Sequence, residues 1–315
     1  IMNKLLIFIP SIENGGVEKN LFIVTNYLKK NGIEIEILTC NRNYSKRFNN
    51  GIKFIGPKSE FWFNKSRVAK YIYCLIALFF NLIFRKNKPL LFAFQANIYA
   101  IIIAKILNTK IITRSNSAPA GWSTNSLKLF LYKFLINLAD GVMVNSLEFK
   151  KSFEKKFNIK VQCIYNPFDK NFVRKKKLFK IRNEIFKKDF LNIVCVGRLT
   201  DQKDHITLLK SINLLKSNFK IKLFLIGNGP LFNLLKNFII NNKLQKKVKL
   251  LGYKKNPYPY ISKSDIIILT SKFEGLPNIL LEAQYLKKYI ISTDCPTGPN
   301  EILLNGKAGD LIKVG

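Results

Sequence analysis

Histidine is nearly absent, with His205 the only one in 315 residues. Chemistry built on several imidazoles, and His/Cys metal sites in particular, therefore lacks its ligands. At the start of a helical segment, His205 reads as a polar structural residue. Cysteine is sparse too. Cys40, Cys74, Cys163, Cys195 and Cys295 lie singly, mostly within apolar segments, and an odd, dispersed set argues for reduced core thiols in a cytoplasmic protein. Acidic residues are outnumbered, 19 Asp and Glu against 53 Lys and Arg, which gives a net charge of +34. A field of that sign attracts phosphates, nucleic acid and anionic lipid. Nucleic acid has no supporting motif, since zinc-finger spacing, an RNA-binding signature with interleaved aromatics and a Gly-rich basic tail are all missing. Long apolar runs are missing as well. Residues 5–9 are far too short for a signal peptide. The segment 71–84 (YIYCLIALFFNLIF) is flanked by Arg67, Lys70, Arg85 and Lys86. A membrane span needs ~20 apolar residues, so this shorter run, which contains Asn81, is expected to be a buried or interface-lying helix.

What is present is a folded α/β pattern: 48% of residues are hydrophobic, and the length suits two domains with a well-buried core. Residues 4–10 read as a strand, followed by a turn with Gly15 and Gly16 and a helix ending near residue 32. Such glycines let backbone approach a ligand closely. Strands follow at 34–39 and 52–56, then at 90–94 and 110–113 with a helix over 98–107 between them. Arg114-Ser115-Asn116 stands at a strand's carboxyl end, a ligand-facing position in open α/β sheets. A helix at 126–137 and strands at 141–146 and 161–165 complete this half. Residues 169–190 are basic and irregular, an interdomain connection with a surface helix. A second alternating series begins with the strand 191–196, which ends in Gly197-Arg198 and leads past Lys203 into a helix from 206. Two cations near a helix N-terminus suit a diphosphate. Strands at 222–226, before Gly227-Asn228-Gly229-Pro230, and at 248–251, before Gly252-Tyr253, continue the series, with a helix beginning in 256–260.

The densest information lies in residues 265–301. The unbroken apolar run 266–269 reads as a doubly buried strand, and Pro277 suits the first turn of a helix. Leu276, Ile279, Leu280, Ala283 and Leu286 repeat at helical spacing. Glu274 is then left in the strand-to-helix turn and Glu282 on the flank of the stripe, both facing a cleft. Carboxylates accept hydrogen bonds from sugar hydroxyls, and helix N–H groups favour phosphate.

Glu274-Gly275-Leu276-Pro277-Asn278-Ile279-Leu280-Leu281-Glu282 resembles the E-x7-E signature of retaining family 4 glycosyltransferases. Residues 290–302, with Ser292-Thr293-Asp294, Gly298-Pro299 and Glu301, continue that pattern. Gly197, Arg198 and Lys203 resemble the family's G-R-x4-K element, and Gly15-Gly16 before a charged residue and an amphipathic helix resembles its amino-terminal turn. The resemblance implies α/β architecture with two Rossmann-like domains facing each other across a cleft: an acceptor-side domain over 1–168, a basic linker over 169–190, and a donor-binding domain over 191–315. It implies that Arg198 and Lys203 clamp the donor diphosphate, Glu274 holds sugar hydroxyls, Glu282 holds the ribose and Gly16 lies at the donor–acceptor junction. Gly15, Gly229, Tyr253, Gly275, Leu276, Pro277 and Asn278 complete the implied donor site, with Arg114 and Asn116 on the acceptor side. Some relatives carry a histidine in that last turn, and this sequence has none. Family members continue through further helices, so the chain reads as truncated after Gly315, and Ile1 ahead of Met2 as a fragment or an unusual start.

The implied reaction moves a hexose or N-acetylhexosamine, from a nucleoside diphosphate sugar expected to be a UDP-sugar, to a glycan or polyprenyl-diphosphate-linked acceptor. Retention of configuration and a role in surface polysaccharide or lipopolysaccharide synthesis are expected. No D-x-D motif of the kind that holds a donor through a divalent cation occurs, so neither metal nor other cofactor is expected. The expected location is the inner face of the cytoplasmic membrane, held peripherally by anionic lipid. Two rivals remain. A sugar-nucleotide epimerase would need G-x-G-x-x-G after the first strand, where only Gly15-Gly16 stands. An inactive membrane-surface binding protein of the same fold is opposed by the intact Arg198, Lys203, Glu274 and Glu282.

Overall fold

The computed structural model describes the chain except for residues 1–3, 13–14, 42–44, 46, 59–60, 63–64, 117–124, 182–185 and 216–218. Parts of the Gly-rich first turn and of the expected linker thus lie outside the described residues. The chain divides into two compact units, Ile1–Pro167 and Phe168–Gly315.

The first unit is built on β1 (Lys4–Phe8), β2 (Glu34–Leu38), β3 (Lys53–Ile55), β4 (Leu90–Ala93), β5 (Ile111–Arg114), β6 (Gly141–Val144) and β7 (Gln162–Cys163). They form one sheet, ordered β3-β2-β1-β4-β5-β6-β7, and every pairing is parallel. A parallel sheet must be covered on both faces, which is why its central strands β1 and β4 are almost wholly apolar. Leu5 and Ile7 of β1 face a core that includes Leu21 of α1 (Gly16–Lys30). Leu6 and Phe8 face the opposite core, shared with α2 (Arg67–Ile83), α3 (Asn97–Ile106), α4 (Ser126–Asn137) and α5 (Leu147–Phe157). α2 starts a turn earlier than its apolar run because Ser66 caps it, accepting a hydrogen bond from the Ala69 N–H at 3.2 Å. α5 has no counterpart in the sequence reading. Its core face is only Phe149, Phe153 and Phe157, set among lysines and glutamates.

The second unit holds β8 (Leu191–Val196), β9 (Ile221–Ile226), β10 (Val248–Gly252), β11 (Ile266–Leu269), β12 (Tyr289–Thr293) and β13 (Asp310–Ile312), again all parallel, in the order β10-β9-β8-β11-β12-β13. Around them lie α6 (Lys170–Lys176), α7 (His205–Leu214), α8 (Phe232–Asn241), α9 (Tyr258–Lys263), α10 (Asn278–Tyr285) and α11 (Pro299–Ile302). α6 falls in the segment expected to be linker, yet Val173 packs into the core of this unit with Val194, Phe224 and Tyr258. In both units the chain leaves its first strand toward one edge and then returns to build on the other side. That is the Rossmann-like order, and it opens a crevice at the carboxyl ends of β1/β4 and of β8/β11.

Candidate active site

The β8/β11 crevice brings together Lys203 and Glu274, two of the residues singled out in the second unit. β8 ends in Gly197-Arg198, a single 3-10 turn spans Asp201–Lys203, and α7 follows. β11 ends opposite, and residues 270–277 carry the chain into α10. These two turns are stitched together. The Lys272 N–H donates to the Gln202 carbonyl at 2.8 Å, Gln202 Nε2 to the Phe273 carbonyl at 2.9 Å, and Thr270 Oγ1 to the Lys203 carbonyl at 2.9 Å. That lacing puts Lys203 Nζ in an ion pair with Glu274 Oε1. Ser271 Oγ donates to the same oxygen at 2.6 Å. Glu274 is buried.

A third turn, after β12, holds the Glu274 backbone. Thr297 Oγ1 donates to the Glu274 carbonyl at 2.6 Å, and the Glu274 N–H reaches the Pro296 carbonyl at 3.3 Å. Gly298 lies at φ +93°, and a β-carbon there would stand 2.4 Å from the Gly275 carbonyl oxygen, so only glycine lets this turn close on residues 274–277. Gly229 has a comparable explanation. A β-carbon on it would stand 2.3 Å from the Leu199 carbonyl oxygen, so its bareness is needed to pack the turn after β9 against the turn after β8. Arg198 is exposed in that turn, as is Tyr253 just past β10. Gly275, Leu276 and Pro277 are buried, and Leu276 belongs to the core. α10 begins one residue after Pro277, at Asn278.

Glu282 departs from expectation. Its carboxylate is buried on α10 and accepts from the Tyr258 hydroxyl at 3.1 Å rather than standing open on the helix flank. Burial also governs the other titratable groups nearby. It pushes the Cys195 thiol up to about 12, with Lys203 opposing, and the Cys295 thiol up to about 12, with Glu274 adding to the rise. Neither is an activated nucleophile. His205 is held down at about 4 by burial and by Lys203, against the pull of Asp204, so it is neutral at pH 7.

In the first unit the Gly15 N–H is taken by Glu18 Oε2 at 3.0 Å, capping α1, while Gly16 is exposed at the helix start. Arg114 ends β5 but is buried rather than open. Its guanidinium donates to Asn166 Oδ1 at 2.8 Å, Asn116 Oδ1 at 3.3 Å and the Ile164 carbonyl at 3.4 Å, all neutral partners, and burial lowers its pKa with Cys163 opposing. Sequence reasoning missed Ser271, Thr297, Gln202 and Tyr258, the groups that orient the two glutamates and join the turns. They are common polar residues with no spacing signal, although Ser271 and Gln202 stand within three and four residues of motif positions.

A parallel sheet with a lysine–carboxylate pair at its switch point defines the class of α/β proteins that take ligands beyond the carboxyl ends of their strands. A family profile described as Glycosyltransferase Family 4 matches residues 14–172, and one described as Glycosyl transferases group 1 matches residues 176–315. The chain belongs to glycosyltransferase family 4. An uncharacterized glycosyltransferase of Methanocaldococcus jannaschii is 32% identical over 246 residues, covering 70% of this chain and 59% of that relative. The N-acetylgalactosamine-N,N'-diacetylbacillosaminyl-diphospho-undecaprenol 4-alpha-N-acetylgalactosaminyltransferase of Campylobacter jejuni is 27% identical, covering 99% of this chain and 87% of its own. In fold, the chain is similar to the Anabaena protein HepE, solved in complex with UDP, with a TM-score of 0.74, 17% identity, and coverage of 100% of this chain and 86% of that one.

Proposed function

We propose that this chain transfers a hexose or N-acetylhexosamine from a UDP-sugar to a glycan or polyprenyl-diphosphate-linked acceptor, with retention at the anomeric carbon and without a metal, in surface polysaccharide or lipopolysaccharide synthesis. The observation that carries the reading is the Lys203–Glu274 pair at the β8/β11 crevice. The Campylobacter relative, whose name describes transfer to a diphospho-undecaprenol-linked sugar, supports the acceptor class, and the UDP complex of the Anabaena protein supports the donor class.

In this reading Arg198 and Lys203 lie on the donor diphosphate and counter the charge that grows there as the glycosidic bond breaks. Glu274 uses Oε1 to hold Lys203 and Ser271, leaving Oε2 for a sugar hydroxyl. Glu282, oriented by Tyr258, takes the ribose. The acceptor oxygen forms its bond to the anomeric carbon while the carbon–oxygen bond to the diphosphate breaks and the electron pair leaves with the diphosphate. The acceptor's proton passes to that departing oxygen on the same face of the sugar. Arg114, buried with neutral partners among the described residues, and Asn116 are assigned to the acceptor, whose diphosphate supplies a negative partner. Side-chain cations and the N-terminus of α10 replace a metal, in keeping with the absence of a D-x-D motif.

The test is turnover of UDP-sugars with a polyprenyl-diphosphate-linked acceptor. Arg198→Ala and Lys203→Ala, each folded, are expected to lower turnover about a hundredfold, the effect of losing one electrostatic donor worth ~3 kcal/mol. EDTA should leave activity intact, and NMR should show the donor's anomeric configuration in the product. Near-normal turnover of both variants would overturn the site. Strict dependence on Mn²⁺ or Mg²⁺ would overturn the metal-free reading, and an inverted product the mechanism.

A further inference from the structure

Residues 61–139 contain eleven Lys and Arg and not one Asp or Glu. An even spread of the chain's 19 acidic residues would place several there. α2, α3 and α4 all lie in this stretch and side by side on one face of the first sheet, where α3 contacts both of the others.

These helices are apolar on the side turned away from the sheet as well as on the side facing it. In α2, Cys74, Leu78 and Leu82 are buried in the core, while Ile72, Ile76 and Phe80, two residues out of phase and so on the opposite side, are each more than half exposed. Phe84 extends that outer stripe at 81% exposure. α4 presents Leu127, Phe130 and Phe134 to solvent, and α3 adds Tyr99 and Ile106. The result is one broad apolar surface carried by three neighbouring helices. Surfaces of this kind mark interaction sites.

Charge decides among the occupants. Lys86 just beyond α2 and Lys128 and Lys133 on α4 are exposed around the apolar side chains, and Arg67 lies at the start of α2, over the Tyr71 ring. A second copy of the chain would bring the same excess of positive charge to the contact, which Glu36 beside Arg85 and Asp140 beside Lys105 offset only in part. Among the described residues no helix is long and apolar enough to cross a membrane. Apolar side chains at the centre with cations in excess of carboxylates around them fit a surface that is apolar within and anionic at its headgroups. We propose that α2, α3 and α4 together dock this protein flat on an anionic lipid bilayer. The surface belongs to the first unit alone and stands whether or not the reaction proposed above is correct.

The test is co-sedimentation of the full chain with vesicles of phosphatidylcholine alone and of phosphatidylcholine mixed with phosphatidylglycerol. Binding should favour the anionic vesicles and weaken as added salt shortens the screening length. Two paired substitutions divide the surface: Ile76→Ser with Phe80→Ser on α2, and Phe130→Ser with Phe134→Ser on α4. All four side chains are exposed, so fold is retained, and the urea midpoint checks it. Each pair should weaken binding about tenfold or more, because a buried Phe contributes ~1.5–3 kcal/mol. Lys128→Ala with Lys133→Ala should weaken binding to anionic vesicles about thirtyfold, at ~1 kcal/mol per cation, and leave weak binding to neutral ones unchanged. Equal affinity for the two vesicle types overturns the choice of partner. Binding untouched by the α4 pair overturns the three-helix surface, and failure to bind, with or without self-association, overturns docking altogether.

Discussion

Among the described residues the Glu274 carboxylate has two hydrogen-bonding partners, Lys203 Nζ and Ser271 Oγ, and both meet it at Oε1. The pair is partly buried, so Coulomb attraction there is stronger than at an open surface, and each group fixes the other's position before any ligand arrives. Two residues along from Lys203, His205 shows the cost of such burial for a group that could charge. Its Nδ1 has no hydrogen-bond partner among the described residues, and its pKa lies near 4, well below the usual value. As pH falls below ~6.5 the unfolded chain takes up a proton that the folded chain refuses until pH is near 4. The stabilisation is therefore complete above ~6.5 and declines toward pH 4, by up to about 3 kcal/mol. Urea midpoints measured from pH 7 to 4.5 should fall less steeply in His205→Gln than in the parent. Because His205 is the chain's only histidine, its imidazole NMR signal can be followed directly, and a titration midpoint near 6.5 would contradict the burial argument.

At the scale of elements, the turn after β12 contributes as much to the site as the strands do. It carries none of the charged residues of the pair, but Thr297 and Pro296 hold the Glu274 backbone and Gly298 allows the approach. Gly298→Ala forces a β-carbon toward the Gly275 carbonyl from a backbone conformation that alanine rarely adopts. The expected cost is ~1–3 kcal/mol of stability. Because the displaced segment carries Glu274, turnover should fall by more than the loss of folded protein explains. Unchanged urea midpoint and turnover would show that the turn is not needed to place the carboxylate. The same reasoning separates what was legible here from what was not. The strand 266–269 and the glutamates of the α10 motif stand out because apolar runs and spaced acids are local signals. The clamp was not legible, since Thr297 meets Glu274 only after β12 pairs beside β11.

Over the whole molecule the excess of positive charge is the dominant electrostatic feature. Acidic residues are used locally against it. Glu36, buried in β2, is attended by Arg85, Lys4 and Lys53, and although burial raises its pKa, Arg85 and the lysines carry it below the usual value. With a net charge of +34 the remaining cations repel one another and favour expansion of the chain. Raising salt from about 10 mM to about 1 M shortens the screening length from about 30 to about 3 Å. Urea midpoints should rise over that range. A fall would mean that ion pairs such as Lys203–Glu274 and the Glu36 cluster outweigh the repulsion.

The amino-acid sequence by itself carried the alternation of strands and helices and the spacing that singles out Arg198, Lys203, Glu274 and Glu282. Each of these depends on contacts or periodicities within a few tens of residues. Only the tertiary structure decided that Glu282 is buried beneath Tyr258, that Arg114 lies inside the first unit with neutral partners, and that α6 belongs to the second core. It also decided that α2 is half covered, with one apolar stripe in the core and one in solvent. A helix apolar on both sides reads as buried in sequence, and its exposure depends on which neighbours the sheet order brings to it.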